Sequence, residues 1–357
     1  MYAEGHGITR DYAQAVKWWR KAAVQGHAGA QYNLGVMYDS GTGIAQDYAQ
    51  AIEWWRKAAA QGDAGAQFSL GVRYESGQGV VEDNAEAVRW YLQAAAQSDP
   101  SAQFNLGAMY ADGRGVPQDY AQAAQWWRKA AQRGNVNALL NLGVMYDSGM
   151  GVAQDYAQAV EWWNEAAVLG DATAQLNLGV MYDEGRGVSR DYAQAAEWWR
   201  KAADQGDARA QFNLGVMYAE GRGVTHDDAQ AVEWWGKAAE KGDVDAQLNL
   251  GVMYASGTGV PQDHSQAVQW WRKAAEQGAA SAQFNLGLSY RDGQGLPQNY
   301  SEALKWFTVA AAGMSGADLK KCVEVRGALV KELSPNQVAE AEKSAREWLQ
   351  AFERRKQ

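Results

Sequence analysis

The sequence predicts an all-α fold, a solenoid of tandem helix-turn-helix units with a C-terminal helical cap, and three observations carry that prediction. Tyr2, Tyr38, Tyr74, Tyr110, Tyr146, Tyr182, Tyr218, Tyr254 and Tyr290 recur every 36 residues, and their neighbours recur with them. Inside each period the apolar residues follow helical spacing twice, on either side of a Gly-x-Gly. The period stops after Gly313. A supersecondary unit copied in tandem cannot bury its apolar faces alone, so neighbours must stack. An array of this kind offers surface rather than a catalytic pocket.

Residues 27–62, HAGAQYNLGVMYDSGTGIAQDYAQAIEWWRKAAAQG, define the unit. Ala30, Leu34 and Tyr38 (or Met37) lie at helical spacing and predict a first helix of about three turns. Gly41 and Gly43 stop it, because glycine adopts the positive φ of a helix C-cap. Asp47 followed by Gln50 resembles a capping box and opens the second helix. There Tyr48, Ala51, Ile52, Trp55, Ala58 and Ala59 form one apolar stripe, Gly62 ends the helix, and Asp63 caps the next first helix. Gly35, in mid-helix, costs roughly 1 kcal/mol relative to alanine, yet it returns at Gly71, Gly107, Gly143, Gly179, Gly215, Gly251 and Gly287. Its expected purpose is to let the second helix cross at close range. Beyond the array, residues 317–333 predict one amphipathic helix and Ser334-Pro335 starts another. Val338, Ala341, Ala345, Trp348, Leu349 and Phe352 give this last helix an apolar face. The expected domains are the array over 1–313 and capping helices over 314–357. Met1-Tyr2 aligns with Met37-Tyr38, so the first repeat is expected to be truncated, with fraying or dimer contacts at its uncapped edge.

The pattern A-x-x-x-L-G-x-x-Y-x-x-G-x-G-V-x-x-D-x-x-x-A-x-x-W-W-x-K-A-A-x-x-G resembles the Sel1-like repeat, a relative of the tetratricopeptide repeat with a longer interhelical loop. The resemblance covers residues 1–313. It implies a right-handed α/α superhelix and a role as adaptor or scaffold for protein complexes, with no particular partner. Family members with cysteine pairs are cross-linked in each repeat, whereas this array has none, so its stability must come from packing. Residues 33–52 and 141–160 differ at three of twenty positions, which points to recent duplication or consensus design.

Net charge is −9 with both signs mixed and no Lys or Arg block, which argues against nucleic acid or an anionic membrane as partner. An uncharged or cationic partner fits better. No apolar run approaches a membrane span, so no membrane insertion is expected. The single cysteine, Cys322, cannot form an intramolecular disulfide and leaves the compartment open: periplasmic, secreted or cytoplasmic. His6, His27, His226 and His264 lack metal-ligand spacing. The Gly-x-Gly loops join two helices and lack the Lys-Ser/Thr of a phosphate-binding loop. Cys322 lies in a helical pattern without a nearby His and reads as an inert thiol. No metal, no cofactor and no catalysis are expected.

Three residue columns are candidates for function. The paired aromatics, such as Trp54-Trp55 and Trp126-Trp127, point about 100° apart on a helix. The second is expected to pack within its own repeat and the first to meet the next repeat. The second column is Asn33, Asn105, Asn141, Asn177, Asn213, Asn249 and Asn285, interrupted by Ser69. By alignment with tetratricopeptide repeats it looks toward the concave face, beside Tyr32, Phe68, Phe104, Leu140, Leu176, Phe212, Leu248 and Phe284. An amide that donates and accepts suits the backbone of an extended peptide, and the flanking column would supply apolar pockets. The alternative is a structural ladder in which each amide bonds the neighbouring helix, and repetition alone does not separate the two. In the third column, Asp39, Glu75, Asp112, Asp147, Asp183, Glu184, Glu220 and Asp292 sit at first-helix ends, where the dipole disfavours them. A cationic ligand or ordinary solvation accounts for them equally. Arg20-Lys21 and its equivalents suit the dipole and read as a convex solvent face.

The sequence thus points to a non-catalytic scaffold that binds a protein or an extended peptide through the asparagine column. The alternatives are an immunity-type or regulatory inhibitor that covers another protein's active site, and a consensus-like array with no evolved ligand.

Overall fold

The structure, a computed structural model, describes residues 11–356. Residues 1–10, and with them the start of the truncated repeat and the dimer contacts expected there, lie outside the described residues. Among the described residues all regular structure is helical, and the expected all-α solenoid of helix-turn-helix repeats is the architecture found.

The chain divides into two compact units, Met1–Ala174 with Arg186–Val188, and Gln175–Gly185 with Ser189–Gln357. In the first, α1 (Tyr12–Val24) is a second helix, and pairs of first and second helices follow. They are α2 (Ala28–Ser40) with α3 (Tyr48–Ala59), α4 (Ala64–Ser76) with α5 (Asn84–Ala96), α6 (Pro100–Asp112) with α7 (Tyr120–Ala131), and α8 (Val136–Ser148) with α9 (Tyr156–Val168). Helix α10 (Ala172–Glu184) begins in the first unit and ends in the second. The second unit continues with α11 (Tyr192–Asp204), α12 (Ala208–Glu220) with α13 (Asp228–Glu240), α14 (Val244–Ser256) with α15 (His264–Glu276), and α16 (Ala280–Asp292) with α17 (Tyr300–Gly313). Helices α18 (Gly316–Val330) and α19 (Pro335–Lys356) end the chain.

Local chemistry fixes the ends of each helix. Gly41 closes α2 in the left-handed region, φ 70°, with its N–H donated to the Met37 carbonyl. Asp47 caps α3 by accepting the Gln50 N–H at 3.0 Å. The expected capping box is only half formed: the Gln50 side-chain oxygen does not accept the Asp47 N–H, and its NH2 group donates to Glu53. The Asp47 N–H is already engaged: it donates to the Tyr38 carbonyl at 2.8 Å and latches the loop onto the end of α2. The same latch joins Asp83 to Tyr74 at 2.9 Å and Asn299 to Tyr290 at 2.8 Å.

Packing within a repeat follows from one close approach. The Trp55 indole lies on Gly35, where a Cβ would fall on the ring, and its N–H donates to the Tyr32 carbonyl at 3.2 Å. Trp127 and Trp163 repeat this bond to Phe104 and Leu140 in the first unit, and Trp199 and Trp235 to Leu176 and Phe212 in the second. The first tryptophan of each pair does not meet the next repeat as expected. Trp54 packs against Val16, Ala23 and Leu34, so it reaches back, because the side of α3 that lies around the helix from Trp55 faces α1. Lys57 lies over the Trp54 ring at 4.1 Å and Lys129 over Trp126 at 3.9 Å, a cation–π contact. Arg56 donates to the Tyr74 hydroxyl of the next repeat at 2.6 Å, and Arg128 to Tyr146 at 2.7 Å. The Arg-Lys pairs are largely exposed, as expected of a solvent face, and also make inter-repeat and ring contacts, through which the 36-residue tyrosine gains a partner.

A buried glutamine ladder, not anticipated from the sequence, adds buried polar bonds between repeats. Gln31, Gln67 and Gln103 are 4–5% exposed. Their amides donate to the carbonyls of Ala23, Ala59 and Ala95 at 3.0, 3.4 and 3.3 Å. Gln61 and Gln97 donate in turn to the Oε1 atoms of Gln31 and Gln67 at 2.7 and 2.8 Å. In the second unit Gln247 bonds the Ala239 carbonyl and receives Gln277 at 2.9 Å. Leu139 and Leu169 replace both partners of one pair together. Arg133 and Lys241 replace only one, and the Oε1 atoms of Gln103 and Gln211 are then buried without a hydrogen bond.

At the C-terminal end α18 and α19 pack on α17. Cys322, Leu329 and Ala341 are buried with Phe284 and Phe307, and Trp348 meets the Trp306 ring at 5.6 Å. The Cys322 thiol donates to the Phe307 carbonyl at 3.3 Å, and burial pushes its pKa up.

Two stability changes follow. Ser98 has φ 66° where the other repeats carry glycine, so Ser98→Gly should raise the unfolding free energy by about 0.5–1 kcal/mol in a urea titration. An unchanged midpoint would show that the backbone there is unstrained. Lys241→Gln should raise it by about 1 kcal/mol, because glutamine at the equivalent position, Gln277, bonds both the Gly242 carbonyl and Gln247. A loss of stability would remove the ladder's energetic role at this position.

Candidate functional site

The asparagine column lies on the first helices, each residue one position before a buried leucine such as Leu34, Leu142 or Leu214. In the first unit Asn33, Asn105 and Asn141 are half-buried; in the second Asn177, Asn213, Asn249 and Asn285 are half-buried. Among the described residues, the side chains of Asn33, Asn141, Asn177, Asn213, Asn249 and Asn285 make no hydrogen bond within the chain. Asn105 is the exception and hydrogen-bonds the Tyr91 hydroxyl. That hydroxyl also donates to Glu75 at 2.5 Å. Burial and the Glu75 carboxylate push Tyr91 far above the ordinary tyrosine range, so it stays protonated. At Ser69, where the column is interrupted, the Tyr32 hydroxyl bonds the serine.

The flanking residues Tyr32, Phe68, Phe104, Leu140, Phe212 and Leu248 are half-buried, and Leu176 and Phe284 are buried at 5% and 8% exposure. Their rings turn onto the second helices: Phe68 meets Tyr91 at 5.8 Å, Phe104 meets Trp127 at 6.5 Å and Phe284 meets Phe307 at 5.4 Å. The apolar side chains that stay open beside the asparagines are three residues further along each helix. Val144 is 48% and Val252 45% exposed, and Val36, Ala108, Val180, Val216 and Leu288 occupy the same position. Sequence reading passed over them, although i, i+3 spacing places them next to each asparagine.

The acidic column is matched by arginines of the chain. Asp39 pairs with Arg73 at 2.9 Å, Glu75 with Arg114 at 2.6 Å and Asp147 with Arg186 at 3.0 Å; in the second unit Asp183 pairs with Arg222 at 3.4 Å. Asp112, Glu220 and Asp292 meet Arg114, Arg222 and Arg291, and Glu184 is engaged as well. Neither a cationic ligand nor bare solvation is needed to account for them. Arg114, Arg186 and Arg222 are the central residues of the following Gly-x-Gly turns. Where the acid is replaced by Ala111, Ala219 or Ala255, the turn carries Met150, Thr258 or Gln294 instead. Acid and arginine come and go together.

Among the described residues no group of His, Cys, Asp and Glu could hold a metal ion, and no helix is long and apolar enough to cross a membrane. The geometry on offer is a repeated surface of amides and short aliphatic side chains.

The family model described as the Sel1 repeat matches residues 1–27, 28–63, 64–99, 100–135, 136–171, 172–207, 208–243, 244–278 and 280–313. Among solved structures the chain is similar to a protective antigen of uropathogenic Escherichia coli that displays an SLR fold. The identity is 34% over 98% of this chain and 90% of that one, with a TM-score of 0.67. It is also similar to a Sel1 repeat protein from Oxalobacter formigenes, 35% identical over 89% of this chain and 90% of that one, TM-score 0.67. An immunity protein of Pseudomonas aeruginosa matches at 22% identity over 60% of this chain and 80% of that one, with a TM-score of 0.36 that carries no argument. No curated protein matches the chain.

The paired substitutions make a testable cycle. Asp183→Ala alone and Arg222→Thr alone should each destabilise the chain. The double variant reproduces the Ala219 and Thr258 combination and should lose less than their sum, with a coupling of about 0.5–1 kcal/mol. Strict additivity in denaturant melts would show that the pair contributes nothing.

Proposed function

The chain belongs to the Sel1 repeat family, and on that premise we propose that it is a non-catalytic scaffold that holds an extended segment of a partner protein along the face carrying the asparagine column. Sel1 repeat proteins are generally scaffolds for protein interaction. The observation that carries the finer reading is the set of six half-buried asparagine amides without an intrachain partner. A polar group that loses part of its water without gaining a bond is destabilised. Six such groups at equivalent positions favour a ligand that supplies the bonds. An amide donates and accepts, so it pairs with the N–H and C=O of any extended backbone, whatever the side chains. The neighbouring Val144 and Val252 offer shallow apolar contact. Residues 314–357 act in this reading as the cap of the last repeat, supported by the burial of Cys322, Leu329 and Ala341 against it.

The experiment compares the intact chain with the triple variant Asn213→Ala, Asn249→Ala, Asn285→Ala as bait for proteins of the source cell. The variant should lose the proteins that the parent retains while its Tm stays within about 2 °C. A large fall in Tm with capture intact would assign the column a structural role and end this reading.

A further inference from the structure

In the array, the tyrosine that opens a second helix is roofed by an arginine of the following repeat. Arg73 lies over Tyr48 at 5.1 Å and Arg186 over Tyr156 at 5.2 Å; in the second unit Arg222 lies over Tyr192 at 5.4 Å. Each guanidinium also meets a carboxylate at the end of the first helix below it, Asp39, Asp147 or Asp183. Two of the three arginines come from Gly-Arg-Gly turns, and the second glycine of each turn lies on backbone. A Cβ on Gly187 or Gly223 would collide with the Tyr156 or Tyr192 carbonyl. The fold therefore contains a recurring seat for an arginine flanked by glycines: an aromatic floor, a carboxylate, and room for bare backbone.

Tyr300 holds this position in the repeat over residues 280–313, which α18 follows directly. Helix α18 passes there instead and leaves a cleft of about 420 Å³ lined by Tyr300, Arg291, Glu324, Val325, Leu329 and Glu332. Tyr300 is 37% exposed. Arg291 does not roof it; its guanidinium is held by Asp292 through two bonds of 2.6 and 2.8 Å. Glu324 lies on α18 and Glu332 in the turn that follows it; both line the cleft and, among the described residues, form no ion pair. The cleft thus keeps the aromatic floor of the internal seats and adds an apolar wall; Arg291, already held by Asp292, stands where those seats have their acid, and the carboxylates are supplied instead by Glu324 and Glu332.

We propose that this cleft is an open arginine seat that takes the guanidinium of an exposed, glycine-flanked loop arginine on a partner protein. The cation stacks on Tyr300 and pairs with Glu324 and Glu332, as Arg186 and Arg222 do inside the array. A guanidinium fits better than an ammonium because it is planar and can stack on the ring while donating to both carboxylates. The site does not depend on the asparagine column.

The probe is the peptide acetyl-Gly-Arg-Gly-Val-amide, which copies residues 185–188, titrated into the full chain and followed by the Tyr300 ring resonances. The arginine peptide should shift them saturably, and its citrulline analogue, equal in shape and uncharged, should bind about tenfold more weakly. Glu324→Gln with Glu332→Gln, both exposed, should weaken the arginine peptide by about threefold or more without altering the fold. Tyr300→Leu should do the same, read by calorimetry. Equal binding of the citrulline peptide, undiminished binding to the glutamine variant, or no shift at any peptide concentration would overturn the proposal.

Discussion

The indole of Trp55 lying on the bare backbone of Gly35 is the contact from which the rest of each repeat is built. It sets the distance between first and second helix, satisfies the indole N–H at a helix carbonyl, and leaves Trp55 2% exposed. With that ring fixed, helix geometry turns the neighbouring Trp54 back onto the preceding repeat. Lys57 then covers the second ring, and Arg56 reaches forward to the next tyrosine. One aromatic pair therefore orients a repeat toward both neighbours. Two repeats, with Tyr91 and Phe307 in place of this tryptophan, keep the contact with glycine and change only the polar end. Tyr91 sends its hydroxyl to Glu75, and Phe307 has no donor at all.

Much of this was legible in the sequence, because period and glycine placement are direct readouts of stacking. Gly35 recurs against its helix propensity, and only a close crossing explains that. The caps at Asp47 and Asp63 were legible too, although the loop latch took the Asp47 N–H away from the expected box. The polar columns were not legible. Gln31 and Asn33 recur with the same period and stand two residues apart, so they face nearly opposite sides of one helix. Periodicity gives both the same signal, and only burial shows that glutamine holds the repeats together. The direction of Trp54 was lost for a related reason: a repeat has the same neighbours' sequence before it and after it, so the pattern does not say which one a side chain meets.

Near-identical repeats also carry a risk of mis-stacking, and the paired substitutions act against it. Gln31 and Gln61 pair in one place and Leu139 and Leu169 stand in another; an acid faces an arginine in one place and an alanine faces methionine in another. Matched pairs are satisfied only with the correct neighbour, since an acid without its arginine, or a buried glutamine without its partner, loses its water for nothing. Gln103 and Gln211, whose partners became Arg133 and Lys241, show the unmatched state within the same chain. The stack is thus specified by which polar groups agree across an interface, over and above the apolar contact that every interface shares.

The same criterion separates structure from surface. The glutamine amides are buried, and most have both a donor and an acceptor partner; the asparagine amides are half-buried and, apart from Asn105, have none. A single hydrogen bond to a ligand contributes about 1 kcal/mol net, less than a factor of ten in affinity. One asparagine therefore cannot hold a partner. Three in register contribute about 3 kcal/mol, on the order of a hundredfold, and each further repeat adds another increment. Affinity on such a face grows with the length of chain that is engaged rather than with any one side chain. In the proposed role a repeated amide would therefore favour an extended backbone over a compact ligand, and copying the repeat, which leaves the core contacts unchanged, would extend the reach of the face.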